Sequence, residues 1–341
     1  MNEKEKRQKL IEKLYLMIRD ANKRKGGTKR IEIIYHIDAL ATFMYYTGMI
    51  KEHEYNFFMK KVINIGDELR LVYKRRNEIF EELFENNYLL LSLYEDALNS
   101  FTDLPKKTYD TIVDYDIMIK ATTSFLKYSD CYSVYEECKN NERLVRGSSL
   151  TDKETIDNID SSYVVLGNYK KNSFEYFSSL VHAIAHAKVN KIIQKDNICY
   201  YEGELFSEII PRLYESMFID YLSSKNILSK DKIRNIMLNQ KSLVYDNLSR
   251  AYEVASSIEN MDDYRINYLR YKNLIGDMSP FVHHAVLGDL LSTRLFKSYL
   301  EDKQEFIRDL PYIIESFKDK SLEELIKEYY DVYSLEKKFI K

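Results

Sequence analysis

The stretch SSLVHAIAHAKVNKII, residues 178–193, decides how the rest of the chain is read. Its apolar residues recur at helical rather than alternating spacing. With Phe174, Phe177, Val181 and Ile184 on one stripe, a helix is predicted, opened by Asn172 or Ser173 as N-cap. His182 and His186 stand four residues apart within it. On a helix that spacing leaves two side chains offset by about 40° and one turn in height, so both imidazoles can reach one ion. Zinc takes nitrogen ligands at about 2.0–2.1 Å and commonly combines two histidines with a carboxylate where it is catalytic. The spacing alone is a weak signal: two histidines on a half-buried helix, each hydrogen-bonded to a neighbour, would read the same way.

Working outward, few residues interrupt the helical pattern. Only 9 Gly and 4 Pro punctuate 341 residues, and Leu, Ile, Lys and Glu abound, so the expected fold is mainly α. A hydrophobic content of 45% argues against disorder. The 30 Tyr and absent Trp point to a compositional bias of the genome. Residues 3–24 place Leu10, Ile11, Leu14, Met17 and Ile18 on one side, and similar patterns cover 29–47, 51–64 and 67–100. Pro105 is expected to open a further helix over 105–128. The polar run NERLVRGSSLTDKETIDNID, 141–160, is read as a boundary between an N-terminal helical region, 1–150, and a C-terminal region, 151–341. Thr151 and Glu154 in it form a capping-box pattern. SSYVVLGNY, 161–169, is β-branched and aromatic and ends at Gly167-Asn168, which makes it the strand candidate of the chain. A helix is expected near 203–224, and another starting at Ser279-Pro280. No repeat of fixed period is visible, which argues against a solenoid.

Charge and cysteine content narrow the function classes. A formal net charge of −3 supplies no global field for nucleic acid. The basic run NKRKGGTKR, 22–30, reads as a solvated turn between helices. ALATFMYYTGMI, 39–50, is too short and too polar to span a bilayer, and the amphipathic start has no signal-peptide core. Cys131, Cys138 and Cys199 lack metal-ligand spacing and read as free thiols in a reducing compartment. A soluble cytoplasmic protein is expected, with partners that are neither nucleic acid nor membrane.

Three features near the histidines bear on a metal site. GELFSEIIPRLYESM brings Glu208 and, two turns on, Glu215. One carboxylate could bind metal while the other orients a histidine or the substrate; Glu204, Glu208 and Glu215 could equally form a solvated face. A strand just before the histidine helix is where a cleft enzyme would hold an extended peptide through backbone hydrogen bonds. SPFVHHAVLGD adds His283 and His284, either of which could donate to a developing oxyanion or simply occupy the first turn of a capped helix.

FEYFSSLVHAIAHA, FSEIIPRLYE and SPFVHHAVLGD together resemble the thimet oligopeptidase and oligoendopeptidase F peptidases, over roughly residues 155–300. That family carries H-E-x-G-H-A, followed by a glutamate near a proline and a second glutamate seven residues on. The resemblance implies a multi-helix fold around a deep cleft. It also implies a zinc ion held by His182, His186 and Glu208, with Glu215 behind them. SSYVVLGNY is similar to the family's active-site strand, which assigns substrate contacts to Val164, Val165 and Gly167. His283 would stabilise the oxyanion, with His284 and Tyr268 as alternatives, and short peptides would be the substrates. One departure is decisive for activity. Ala183 stands where the family has the glutamate that takes a proton from the attacking water and passes it to the leaving amine. A positioned general base contributes about 10²–10⁴-fold, so turnover near zero with metal binding retained is expected. Ala183 fits either a recent or deliberate removal of the carboxylate, or a natural pseudopeptidase that binds peptides or a protein partner without cleaving them. Ala185 replaces a small glycine, the Glu208-to-Pro211 spacing is one residue longer than the family pattern, and the chain is shorter than typical members.

Overall fold

The computed structural model describes residues 3–24, 28–62, 111–141, 144–146, 154–158, 161–166, 169–193, 208–238, 280–317 and 324. The chain divides into two compact units that interleave along the sequence. One is Met1–Arg75 with Tyr132–Lys171; the other is Arg76–Cys131 with Asn172–Lys341.

In the first unit, α1 (Glu3–Lys23) and α2 (Thr28–Tyr46) pack together, and α3 (Glu52–Lys61) packs on α2. The one-sided stripe of α1 is buried at Leu10, Leu14, Met17 and Ile18 against Ile33, Ile37, Leu40 and Met44 of α2. Arg30 is buried and donates to the carbonyls of Ala21 and Arg24, which caps the C-terminal end of α1. The last residue of the basic run is therefore a structural cap rather than part of a solvated turn. After α5 (Tyr132–Asn140) the chain forms β1 (Leu144–Arg146), β2 (Glu154–Asn158) and β3 (Ser161–Leu166). Their order is β1-β3-β2, with β3 parallel to β1 and antiparallel to β2. Val164 lies opposite Leu144 on one side and Thr155 on the other. The strand expected in 161–169 is thus present as β3, at the centre of the sheet. The capping-box pattern at Thr151 and Glu154 does not open a helix. Glu154 begins β2, because the β-branched pair Thr155-Ile156 finds a ladder partner in β3.

The second unit is helical: α4 (Tyr115–Tyr128), α6 (Phe174–Ile193), α7 (Ile209–Ser224), α8 (Pro280–Glu301) and α9 (Lys303–Ser316). α6 and α8 both pack on α7, and α4 and α9 pack on α6. The helix expected over 105–128 is not continuous: α4 begins at Tyr115. Residues 111–114 are extended, and Ile112 pairs with Ser173. Backbone hydrogen bonds from Val113 N to Asn172 O (2.9 Å) and from Phe174 N to Thr111 O (2.8 Å) hold them there. The Asp114 side chain then caps α4 by accepting from Ile117 N. Pro105 itself lies outside the described residues. α7 starts later than the expected 203, with Glu208 as its N-cap residue and Pro211 in the first turn, where a missing N–H leaves no hydrogen bond unmade.

Aromatic rings fill the space between α4, α6 and α7. Phe125 is fully buried, with ring centroids 5.1 Å from Phe218, 5.7 Å from Tyr221 and 6.4 Å from Tyr214, and Phe174 stacks on Phe218. The C-terminal end of α4 is pinned by both neighbours: Lys188 Nζ donates to Asp130 O (2.9 Å) and the Tyr214 hydroxyl to Ser129 O (3.2 Å). These contacts fix α6 and α7 against each other, and those two helices carry the histidines and the glutamates.

Candidate metal centre

α6 is buried on nearly every face, as a helix with apolar residues all round should be. Its polar side chains therefore face protein groups. Of the two expected caps, Asn172 and Ser173, Ser173 opens it, its hydroxyl accepting from Tyr176 N at 3.3 Å. His182 and His186 lie one turn apart and turn their rings toward the start of α7, where Glu208 and Glu215 enter. Both glutamates are buried, so the solvated-face reading does not hold for them.

His182 Nε2 is 3.1 Å from His186 Nε2 and 3.5 Å from Glu208 Oε2, and His186 Nε2 is 3.2 Å from Glu208 Oε1. One donor atom from each residue falls within 4.8 Å of the others. A tetrahedral zinc site with bonds of about 2.0–2.1 Å needs donors about 3.3–3.4 Å apart. The ring nitrogens approach one or the other Glu208 oxygen at distances on either side of that value. The chemistry of the set points the same way: two ring nitrogens and a carboxylate converge, and neutral imidazole offers only one N–H per ring. Nitrogen and oxygen donors of this kind suit zinc and other divalent first-row metals. The site fits a divalent ion.

The surrounding groups orient these donors. His182 Nδ1 faces Glu215 Oε1 at 3.3 Å, though not aligned as a hydrogen bond. Glu215 Oε1 also accepts from the Ser178 hydroxyl at 3.2 Å, and Glu215 Oε2 from Arg212 Nη1 at 3.0 Å. Arg212 Nε lies 3.6 Å from Glu208 Oε2. Burial pushes His182 down to about 4, against the opposing pull of Glu208 and Glu215, so its ring is neutral at pH 7. Burial would raise Glu208, but the imidazole pair and Arg212 outweigh it and hold the carboxylate below its usual range. Burial disfavours the Arg212 cation too, yet Glu215 and Glu208 more than compensate and raise it. At neutral pH the Glu208 carboxylate is charged beside a neutral His182 ring, with the Arg212 guanidinium behind it. Neutral imidazole is also the form that ligates metal.

Ala183 follows His182 on α6, fully buried, and supplies no ionisable group. His283 and His284 lie on the first turn of α8, whose start at Pro280 agrees with the sequence. Val164 and Val165 lie on β3 in the first unit. Tyr268 and Gly167 are outside the described residues. Two residues at the site went unnoticed in the sequence. Arg212 is four residues after Glu208 and three before Glu215, a spacing that puts it on their face. Gly288 lies inside α8, where glycine is unfavourable unless packing demands it. There a side chain would run into the root of Glu208.

No family model matches the sequence, and no curated protein matches it. Among solved structures, the chain is similar to a crystal structure of a "putative oligoendopeptidase F from Bacillus anthracis str. Ames", with a TM-score of 0.50 at 15% identity. The match covers 81% of this chain and 61% of that one, so the chain spans less than two thirds of that protein's length. The likeness is one of fold. It places the mainly helical architecture with that of an oligoendopeptidase, as the sequence resemblance implies.

Proposed function

We infer that the chain is a metallopeptidase-type scaffold that holds one zinc ion through His182, His186 and Glu208 and binds short peptides. Ala183 leaves it unable, or barely able, to hydrolyse them. The observation that carries this reading is the convergence of three donors from two helices at separations suited to one divalent ion. When bound, the metal would supply Lewis acidity toward a carbonyl and acidify water. The chain's own residues do the rest. Glu215 keeps His182 turned so that Nε2 faces the donor cluster, and Arg212 and Ser178 keep Glu215 in place. Position 183, beside His182, is where a carboxylate would move the proton from water to the leaving amine, and alanine has none to move. A non-catalytic peptide- or protein-binding module is the second reading, and it draws on the same alanine. His283, His284 or Tyr268 as the oxyanion donor, and Val164, Val165 and Gly167 as the peptide-binding strand, are part of the proposal.

Elemental analysis of the purified protein tests the metal. About one zinc per chain is expected, lost in His186→Ala; absence of metal from the parent chain, even after incubation with zinc, would overturn the reading. Ala183→Glu tests the peptidase assignment. A gain of about 10²–10⁴-fold in hydrolysis of a short-peptide library is expected. A zinc-replete variant with no gain would favour the binding module.

A further inference from the structure

The interior glycine of α8 has a specific neighbour. A Cβ placed on Gly288 would lie 2.5 Å from Glu208 Cβ, 2.9 Å from its carbonyl carbon and 3.0 Å from its carbonyl oxygen. These are the root and backbone of Glu208, not the far end of a flexible chain, so they cannot swing aside. Gly288 is buried in a 22-residue helix, where alanine would ordinarily be the better residue by about 1 kcal/mol. Only the absence of a side chain lets α8 approach the start of α7 this closely.

The consequence falls on the donor cluster. Glu208 is the N-cap residue of α7, and its two oxygens reach His186 at 3.2 Å and His182 at 3.5 Å. Its reach is set by where its root is held. Relieving the contact to an ordinary 3.4 Å needs a displacement of about 1 Å at that root. Metal sites tolerate roughly ±0.2 Å in ligand distance. We propose that Gly288 is the positioning residue for Glu208, seating its backbone so that one carboxylate meets both imidazoles. This rests on the metal reading above and adds to it the element of α8 that shapes the site.

The test uses the full chain at fixed pH with cobalt(II) as the probe, read by absorbance. Gly288→Ala is expected to weaken cobalt(II) binding about 10–100-fold, the usual cost of disturbing a group that orients a ligand. Leu291→Ala, a buried residue of the same helix, lowers stability without changing the affinity. In a Glu208→Ala background, Gly288→Ala is expected to have no further effect on the residual affinity. Unchanged cobalt(II) affinity in Gly288→Ala, or equal weakening in both backgrounds, overturns the proposal. A metal-free measurement separates this inference from the metal reading. In chelator, the ¹⁵N resonance of His186 Nε2 is expected to shift in Gly288→Ala, as its Glu208 contact lengthens, and to stay put in Leu291→Ala. If the parent chain takes up no cobalt(II), the metal reading fails while the imidazole resonance still decides Gly288; an unmoved resonance overturns it.

Discussion

Arg212→Met is the most informative single substitution at the cluster, because it separates the charge balance of the site from its metal. Methionine keeps much of the aliphatic stem and removes the guanidinium. At pH 7 His182 is neutral, so the two buried carboxylates lose the cation that sits 3.0 Å from Glu215 and 3.6 Å from Glu208. Breaking a buried ion pair by removing one partner costs about 3–5 kcal/mol. Arg212 keeps a side-chain exposure of 16%, and Glu215 retains the Ser178 hydroxyl at 3.2 Å, which places the expected loss at the low end, about 3 kcal/mol. A bound dication restores the missing positive charge beside Glu208. Zinc should therefore bind the variant about tenfold more tightly, a coupling worth about 1.4 kcal/mol, so that roughly half of the loss is recovered in saturating zinc. Urea denaturation in chelator and in zinc, for parent and variant, measures all four corners of this cycle. A metal-free variant within about 0.5 kcal/mol of the parent, the range of an ordinary surface change, would refute the reasoning. So would a stabilisation by zinc no larger in the variant than in the parent.

Three further outcomes follow from the packing and the titrating groups. The His182 ring has a folded value of about 4 against an unfolded 6.5, so the unfolded chain binds the extra proton between these values. Stability of the metal-free protein is full above pH 6.5 and declines as pH falls toward 4, by up to about 3 kcal/mol; His182→Gln should flatten that decline in urea midpoints taken at pH 7 and pH 5. Phe125→Ala empties a fully buried site ringed by Phe218, Tyr221 and Tyr214, and should cost about 3–5 kcal/mol by urea denaturation. Ser173→Ala removes the cap of α6 and should cost about 1 kcal/mol, with Ser173→Asp retaining the parent stability.

Much of the candidate site was legible because it is local. The four-residue spacing of His182 and His186, and the seven-residue spacing of Glu208 and Glu215, are properties of single helices. Periodicity reveals such helices well, as the one-sided stripe of α1 illustrates. What the sequence concealed depends on partners far along the chain. The extended segment before α4 exists because Thr111 and Val113 bond to residues 172–174. Glu154 begins a strand because β3 is there to pair with it. Gly288 reads as an ordinary small residue until α7 is set beside it. Arg212 was hidden for another reason: an arginine between glutamates usually signals a solvated face, and only burial turns it into the counter-charge of two carboxylates.

Among the described residues no helix is long and apolar enough to cross a membrane. Recombinant work on the histidine helix must instead respect the interleaved chain path. A fragment cut to begin at residue 172 would keep every proposed ligand, yet it would discard Phe125 and the carbonyls of Ser129 and Asp130 that Tyr214 and Lys188 grip. It would also strip the edge that Thr111 and Val113 provide at the mouth of α6. Cloning boundaries drawn at the polar stretch 141–160 would sever a helix from its own bundle. A split expression in which residues 111–131 are supplied as a separate peptide offers a direct route to reassembling it.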